Sequence, residues 1–304
     1  MDDSLKRPLI LVEGKGGVGK TSVAAALGLA LARAGKRVLV LEVSAEGHVP
    51  VVFGKEASAK APVALGEGLF AQTLKPDDCL EEYALIKLHF RALYRLIFKN
   101  PIIRALMRMV PAMDELLIIG KIEHLVRSGE WDHVIVDAPV TGEGILLFML
   151  PRVITEAVSR GPLHDDAARI RSLLEDPARC VMHLVTLAEE MPAEETEQLH
   201  EAMLDQVGLP LGRLIVDRLY PPTLAARERE LLSGATSERR DECLQDLREI
   251  LGFMARRREQ QERYLARLSA RVPLEQRLLP EVFHARDERE VVEALALSLG
   301  ALTA

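Results

Sequence analysis

Cysteine is scarce in this chain of 304 residues: Cys79, Cys180 and Cys243 lie far apart, without a CxxC pair. That excludes a disulfide scaffold and a cysteine-based zinc site, leaving ordinary reduced thiols. The eight histidines are equally scattered, none at HxxxH or HExxH spacing, and read as surface or packing residues. Long apolar runs are missing too. The longest stretch without a charge, Thr21 to Ala32, falls well short of the roughly 18 residues a membrane span needs. The apolar run near the N-terminus is too short for a signal sequence and leads straight into a glycine loop. Nor is there a surplus of positive charge: 39 Lys+Arg face 46 Asp+Glu, a formal charge of −7. Nucleic acid, whose phosphates demand clustered cations, is therefore not an expected partner. A soluble, cytoplasmic protein is expected.

What the chain does have is 48 % hydrophobic residues, ample for a full core. Short β-branched runs alternate with longer helical patterns, which predicts a doubly wound α/β fold with a mainly parallel sheet and helices on both faces. Strands are expected at Pro8 to Glu13, Arg37 to Glu42, Leu69 to Leu74, His133 to Asp137, Cys180 to Leu187, Arg213 to Asp217 and Arg271 to Leu274. Thr21 to Ala34 reads as an Ala- and Leu-rich helix closed by Gly35. Two stretches are helical without intervening strands: Leu80 to Ser128, and the highly charged Thr223 to Ser269, with its RERE and ARRREQQER segments. No repeat, low-complexity tract or linker divides the chain. Residues 1–304 are read as one domain with a helical insertion at about 80–128 and a charged helical hairpin at about 223–269.

The strongest motif is Gly14-Lys15-Gly16-Gly17-Val18-Gly19-Lys20-Thr21, a full match to GxxxxGK[ST] between an expected strand and an expected helix. Its glycines let backbone N–H groups curl around a phosphate, and the helix N-terminus adds its positive dipole end. Lys20 would reach the β- and γ-phosphates of a nucleotide, and the Thr21 hydroxyl would sit on Mg²⁺. Ser22, next on the helix, completes this candidate phosphate-binding set. The second marker is Asp137-Ala138-Pro139-Val140-Thr141-Gly142, which follows the buried run HVIV. An Asp there can hold the Mg²⁺ shell, and the following turn can sense the γ-phosphate.

Lys15 makes the loop more specific, because GKGGVGK resembles the deviant Walker A motif of dimeric ATPases that include MinD, ParA and ArsA. That resemblance implies a lysine that crosses a dimer interface to the partner's nucleotide. Further marks resemble the ArsA-like ATPases in order along nearly the whole chain. Asp137 to Gly142 is similar to that family's DTAPTG switch, and Pro111-Ala112-Met113-Asp114-Glu115 to its PGxDE element. Ala188 to Pro192 with Glu195-Thr196 resembles its "E-x-P…ET" segment, and VPLEQRLLPEV its C-terminal nucleotide-side loop, which implies a base-side role for Pro273. Segments such as GPLHDDA and IGKIEHLV are most similar to bacterial ArsA-like proteins made as paired single-domain subunits.

Three departures stand out. Where the family's second strand ends in a water-orienting Asp, this chain has Ser44, which has no base strength near neutral pH. Glu46 or Glu42 substitutes only after a loop shift, and a displacement of about 1 Å costs much of such a contribution. Lys15, Lys20 and Glu46 are thus the candidate catalytic set, with secure nucleotide binding and slow hydrolysis expected. At Val216-Asp217-Arg218 the family usually has an Asn against adenine; Asp217 keeps the acceptor and loses the donor, so ATP is favoured on family grounds and GTP stays open. The zinc-binding CxxC of the targeting ATPases and the clustered cysteines that hold arsenite are both absent.

From Tyr83 to Met113 there are six Lys/Arg and no acid. Lys87, Arg91, Arg95 and Lys99 share one helix face, and Leu85, Leu88, Leu96, Phe98, Met107 and Met109 supply apolar surface. The basic face is either simply solvated or, as the resemblance to targeting ATPases implies, part of a contact with a hydrophobic client or an anionic membrane surface. The expected protein is a Mg-ATP-dependent dimeric switch, a homodimer or a heterodimer with a paralogous ArsA-like subunit. The alternatives are a catalytically weak regulatory subunit of such a complex, or a MinD-like positioning ATPase, which the lack of basic residues in the apolar tail VVEALALSLGALTA disfavours.

Overall fold

The computed structural model describes residues 3–43, 47–88, 112–221 and 241–300. Its main elements run β1 Leu9–Gly14, α1 Lys20–Arg33, β2 Val38–Glu42, α2 His48–Val52, β3 Val63–Gly66, β4 Leu69–Thr73, α3 Pro76–Leu88, α4 Met113–Ser128 and β5 His133–Asp137. They continue with α5 Thr141–Ala157, α6 Pro162–Leu174, β6 Cys180–Leu187, α7 Glu190–Ala202, β7 Leu211–Leu219, α8 Asp241–Arg271, β8 Gln276–Pro280 and α9 Glu288–Gly300.

Among the described residues the strands form one sheet of eight, in the order β3-β4-β2-β5-β1-β6-β7-β8. Its inner strands are continuous apolar runs because both faces are covered. Along β1, Leu9 and Leu11 join a core that also holds residues of α3, α4, α5, α6, α7 and α8. Ile10 and Val12 point the other way, into a core shared with α1 and α9. The expected doubly wound, mainly parallel architecture is what the chain adopts. The exception is the edge strand β3, antiparallel to β4. Those two strands are joined through Glu67 and Gly68, both at positive φ (54° and 86°), as a two-residue hairpin requires.

The topology decides where a ligand can bind. From β1 the chain builds β2, β4, β3 and β5 on one side, then β6, β7 and β8 on the other. The loops after β1 and its neighbours therefore open at a switch point beyond the strands' carboxyl ends, where open α/β sheets take ligands.

Two expectations need correction. The last strand is not Arg271 to Leu274 but Gln276–Pro280. Leu268 and Val272 are fully buried at helical spacing, so α8 runs on to Arg271, and Pro273 has no N–H for a ladder. Strand β3, not among the expected strands, carries little sequence signal: it has four residues, two of them exposed, and ends in Gly66. Of the two helical stretches, α3, α4 and the 31-residue α8 are described. The basic segment beyond Leu88, with Arg91, Arg95 and Lys99, and the RERE segment lie outside the described residues, as do Ser44 and Glu46. Among the described residues no helix is long and apolar enough to cross a membrane.

Candidate nucleotide-binding site

Strand β1 delivers the glycine loop to the carboxyl edge of the sheet, and α1 leaves it at Lys20. Two glycines are sterically required. A Cβ on Gly14 would lie 2.3 Å from the Val185 carbonyl oxygen of β6. Gly19, the residue before α1, sits at φ 95°, and a Cβ there would meet Asp217 Oδ2 at 2.4 Å. The first turn of α1 carries no side-chain cap and no acid. Its N–H groups are left for an anion, and the helix dipole favours one. The buried Lys20 folds over the loop, donating from Nζ to the carbonyl oxygens of Gly14 (2.7 Å) and Lys15 (3.2 Å). Val18 is buried, and Gly16 lies against Val140 of the next loop.

Three carboxylates line up beneath this loop, at the ends of adjacent strands. Asp137 of β5 stands opposite Glu42 of β2 and Val12 of β1, and Glu13 follows Val12. Thr21 Oγ1 donates to Asp137 Oδ2 at 2.6 Å, while Oδ1 is buried without a hydrogen-bond partner. Burial pushes Asp137 up to about 6 against the pull of the Thr21 hydroxyl and the Lys20 charge. A hydroxyl and a carboxylate oxygen with a spare lone pair are hard donors that suit Mg²⁺ at a phosphate site. Glu42 is committed elsewhere. Its Oε1 accepts the N–H groups of His48 (2.6 Å) and Val49 (3.0 Å), tying the start of α2 to the end of β2, and burial raises its pKa.

Glu13 is the functional neighbour that sequence reasoning missed. It is fully buried on the α5 side of the sheet. Oε1 accepts the Gly14 N–H at 3.0 Å, whereas Oε2 has no partner and lies 2.1 Å from where a Cβ on Gly144 of α5 would be. Burial, reinforced by Asp137, pushes Glu13 up to about 8 despite the Gly14 N–H and Lys20. The signal was present as an acid at the end of an otherwise apolar strand, LILVEG.

The remaining expected residues fall as follows. Ser22 is half-buried in the first turn of α1. Lys15 Nζ lies 2.8 Å from Glu195 Oε1 of α7. Asp217 is buried at the carboxyl end of β7, pushed up to about 6 by burial, with the Arg218 N–H and charge opposing. Arg218 sits at φ 57° with Nε 3.8 Å from Asp217 Oδ2. Beside them, Tyr220 and the exposed Phe283 make an edge-on ring pair at 5.2 Å. Pro273 does not belong to this site: it precedes β8, at the sheet end opposite the glycine loop, and the loop on the correct side starts after Pro280.

Residues 7–164 match the family model described as anion-transporting ATPase. ATPase BagA of Mycobacterium tuberculosis is 29 % identical over 231 residues, which is 72 % of this chain and 67 % of that protein. The arsenical pump-driving ATPase of Acidiphilium multivorum is 28 % identical over 260 residues, covering 79 % of this chain and 44 % of that protein. One from Escherichia coli is 28 % identical over 254 residues, 77 % of this chain and 43 % of that protein. The chain thus spans less than half the length of these two pump-driving relatives.

The packing of Glu13 on Gly144 predicts a reciprocal pair. Gly144→Ala is expected to destabilise the fold by about 1–3 kcal/mol, since the methyl meets a buried carboxylate. Adding Glu13→Ala should return most of the loss, as read from urea midpoints; equal losses in the single and double variants would contradict the contact. Glu13 also sets a pH dependence. It ionises near 4.5 in the unfolded chain and stays protonated in the fold up to about 8. The unfolded chain therefore binds fewer protons in that window, and stability falls as pH rises, levelling off above about 8. Urea unfolding at pH 6, 7 and 8 should show this fall in wild type and a flatter profile in Glu13→Gln; identical slopes would rule it out.

Proposed function

The chain belongs to the anion-transporting ATPase family, and on that premise we propose that it is a Mg-ATP-dependent dimeric switch whose nucleotide state governs binding of a partner or hydrophobic client. The observation that carries the reading is the glycine loop at the switch point, with an uncapped helix N-terminus, buried Lys20, and Thr21 joined to Asp137 at 2.6 Å. Main-chain N–H groups from Gly16 to Thr21 and the Lys20 ammonium would bind the phosphates. Thr21 and Asp137 would hold Mg²⁺, which when bound neutralises phosphate charge. Asp217 and Arg218, at the end of β7 beside Gly19, would face the base, with ATP the proposed nucleotide.

Slow turnover is part of the proposal. Ser44 stands where the family carries a water-orienting Asp, Glu46 is the proposed substitute, and Glu42 is engaged by the N–H groups of His48 and Val49. Lys15 is proposed to reach the nucleotide of a second subunit, either another copy or a paralogous chain, in the cytoplasm. Residues of about 83–113 are the proposed surface for a client or anionic membrane. The arsenical substrate in the relatives' names is not carried over. Cys79 and Cys180 are both buried, and burial pushes their thiols up, Cys79 to about 12.

Lys20→Ala is expected to abolish Mg-ATP binding in calorimetric titration, because no other loop cation is buried beneath the phosphates; unchanged affinity would end the nucleotide reading. Lys15→Ala should weaken binding by the monomer no more than a few-fold and suppress the mass increase that a slowly hydrolysed ATP analogue produces in light scattering. Equal masses for variant and wild type, with and without the analogue, would refute a role across the interface.

A further inference from the structure

The two lysines of the glycine loop are held in different ways. Lys20 is buried and bound to carbonyl oxygens of the loop itself. Lys15 is half-exposed, and its Nζ lies 2.8 Å from Glu195 Oε1, a carboxylate on a separate element. Glu195 is held on a firm base. Its neighbour Thr196 is buried; its hydroxyl donates to Pro192 O (2.7 Å) and shares a hydrogen bond with the Thr186 hydroxyl (2.8 Å) at the end of β6. On the other side, Glu197 takes a two-pronged pair from Arg267 of α8, at 2.7 and 3.1 Å. Strand β6 is in turn in register with β1 up to Val185 opposite Gly14. The backbone that carries Glu195 is thus fixed relative to the loop, while the lysine it meets is on a long, flexible stem.

From this geometry we infer that Glu195 is a positioning residue that holds the Lys15 ammonium in the nucleotide-free chain and yields it to phosphate, so that carboxylate and nucleotide compete for one cation. The inference rests on the nucleotide-binding reading. An ion pair this exposed shifts an equilibrium only by a roughly two- to fivefold factor. A polyphosphate beside an uncapped helix N-terminus carries several charges and overcomes it readily. Glu195 therefore does not block binding; it sets how much nucleotide is needed before Lys15 is released, whether to phosphates on its own chain or on a second one.

The test uses the full chain, Glu195→Gln, Glu195→Asp, Lys15→Ala and the double variant Lys15→Ala/Glu195→Gln. Without nucleotide, an amine-reactive ester should modify Lys15 roughly two- to fivefold faster in Glu195→Gln than in wild type, read by peptide mass spectrometry. Glu195→Asp, which keeps the charge, should restore much of the protection. In calorimetry with Mg and a slowly hydrolysed ATP analogue, Glu195→Gln should bind roughly two- to fivefold more tightly, and the same change in the Lys15→Ala background should have no effect. Equal labelling rates in wild type and Glu195→Gln would overturn the hold on Lys15. An equal gain in affinity with and without Lys15 would overturn the competition, showing that Glu195 repels phosphate directly. A wild type that binds no nucleotide would sink the functional reading and the competition with it, while the labelling arm would still report the Lys15 contact separately.

Discussion

Strand β5 lies between β1 and β2 with Asp137 opposite Glu42 and Val12, and the whole carboxyl edge of the sheet depends on that register. It sets three acidic side chains on neighbouring strand ends, in a region closed to water. Like charges so placed repel, and each loses hydration that a low-dielectric site does not return. The protein meets this differently at each position. Asp137 takes the Thr21 hydroxyl, Glu42 takes two N–H groups from the start of α2, and Glu13 holds its proton to about pH 8. The result is a site in which the loop, the first turn of α2 and the first turns of α5 all rest on carboxylates that cannot move independently.

The same register explains which glycines are fixed. Strand β6 presses its Val185 carbonyl on Gly14, and Asp217 of β7 presses its carboxylate on Gly19, so both flanking strands on that side shape the loop from below. Side chains at either position would force the loop away from the sheet and turn the uncapped N–H groups of α1 off their common focus. On the opposite flank, Gly144 admits Glu13. The glycine loop, the end of β7 and the first turn of α5 are therefore joined by direct packing.

Elements that bury both faces were legible in the sequence, because continuous runs such as LILV and HVIV have few other uses. The glycine loop was legible because its spacing is dictated by phosphate geometry, and its helix starts at Lys20, one residue from the expected Thr21. Strand β8 was misplaced because Val272 and Leu274 look like a strand while Val272 completes the buried stripe of α8. Pro273 went wrong with it, since the end of the sheet a residue occupies follows from where its strand begins. Glu13 leaves only the trace of an acid closing an apolar strand, since its surroundings depend on which face of β1 meets α5, and the Lys15–Glu195 pair leaves none, being a contact across 180 positions of sequence. The ring pair of Tyr220 and Phe283 likewise exists only once β7 and β8 lie side by side.

Charge balance limits what the site can accept. Two lysines serve the loop, and both are already paired, Lys20 with loop carbonyls and Lys15 with Glu195. A polyphosphate bound as proposed would draw on those cations while standing over Asp137, whose carboxylate would repel it. Repulsion would be relieved if a divalent cation lay between phosphate and Asp137 or if the nearby carboxylates stayed neutral. Asp137 Oδ1 is left with a free lone pair beside the Thr21 hydroxyl, and Glu13, the most deeply buried of the three, keeps its proton at neutral pH. An ionised Glu13 would add a third negative charge under the loop and pull Lys20 inward, away from phosphate. Its protonated form would leave the ammonium to a phosphate bound as proposed, so the acid that looks least compatible with an anion site is the one whose burial would make it compatible.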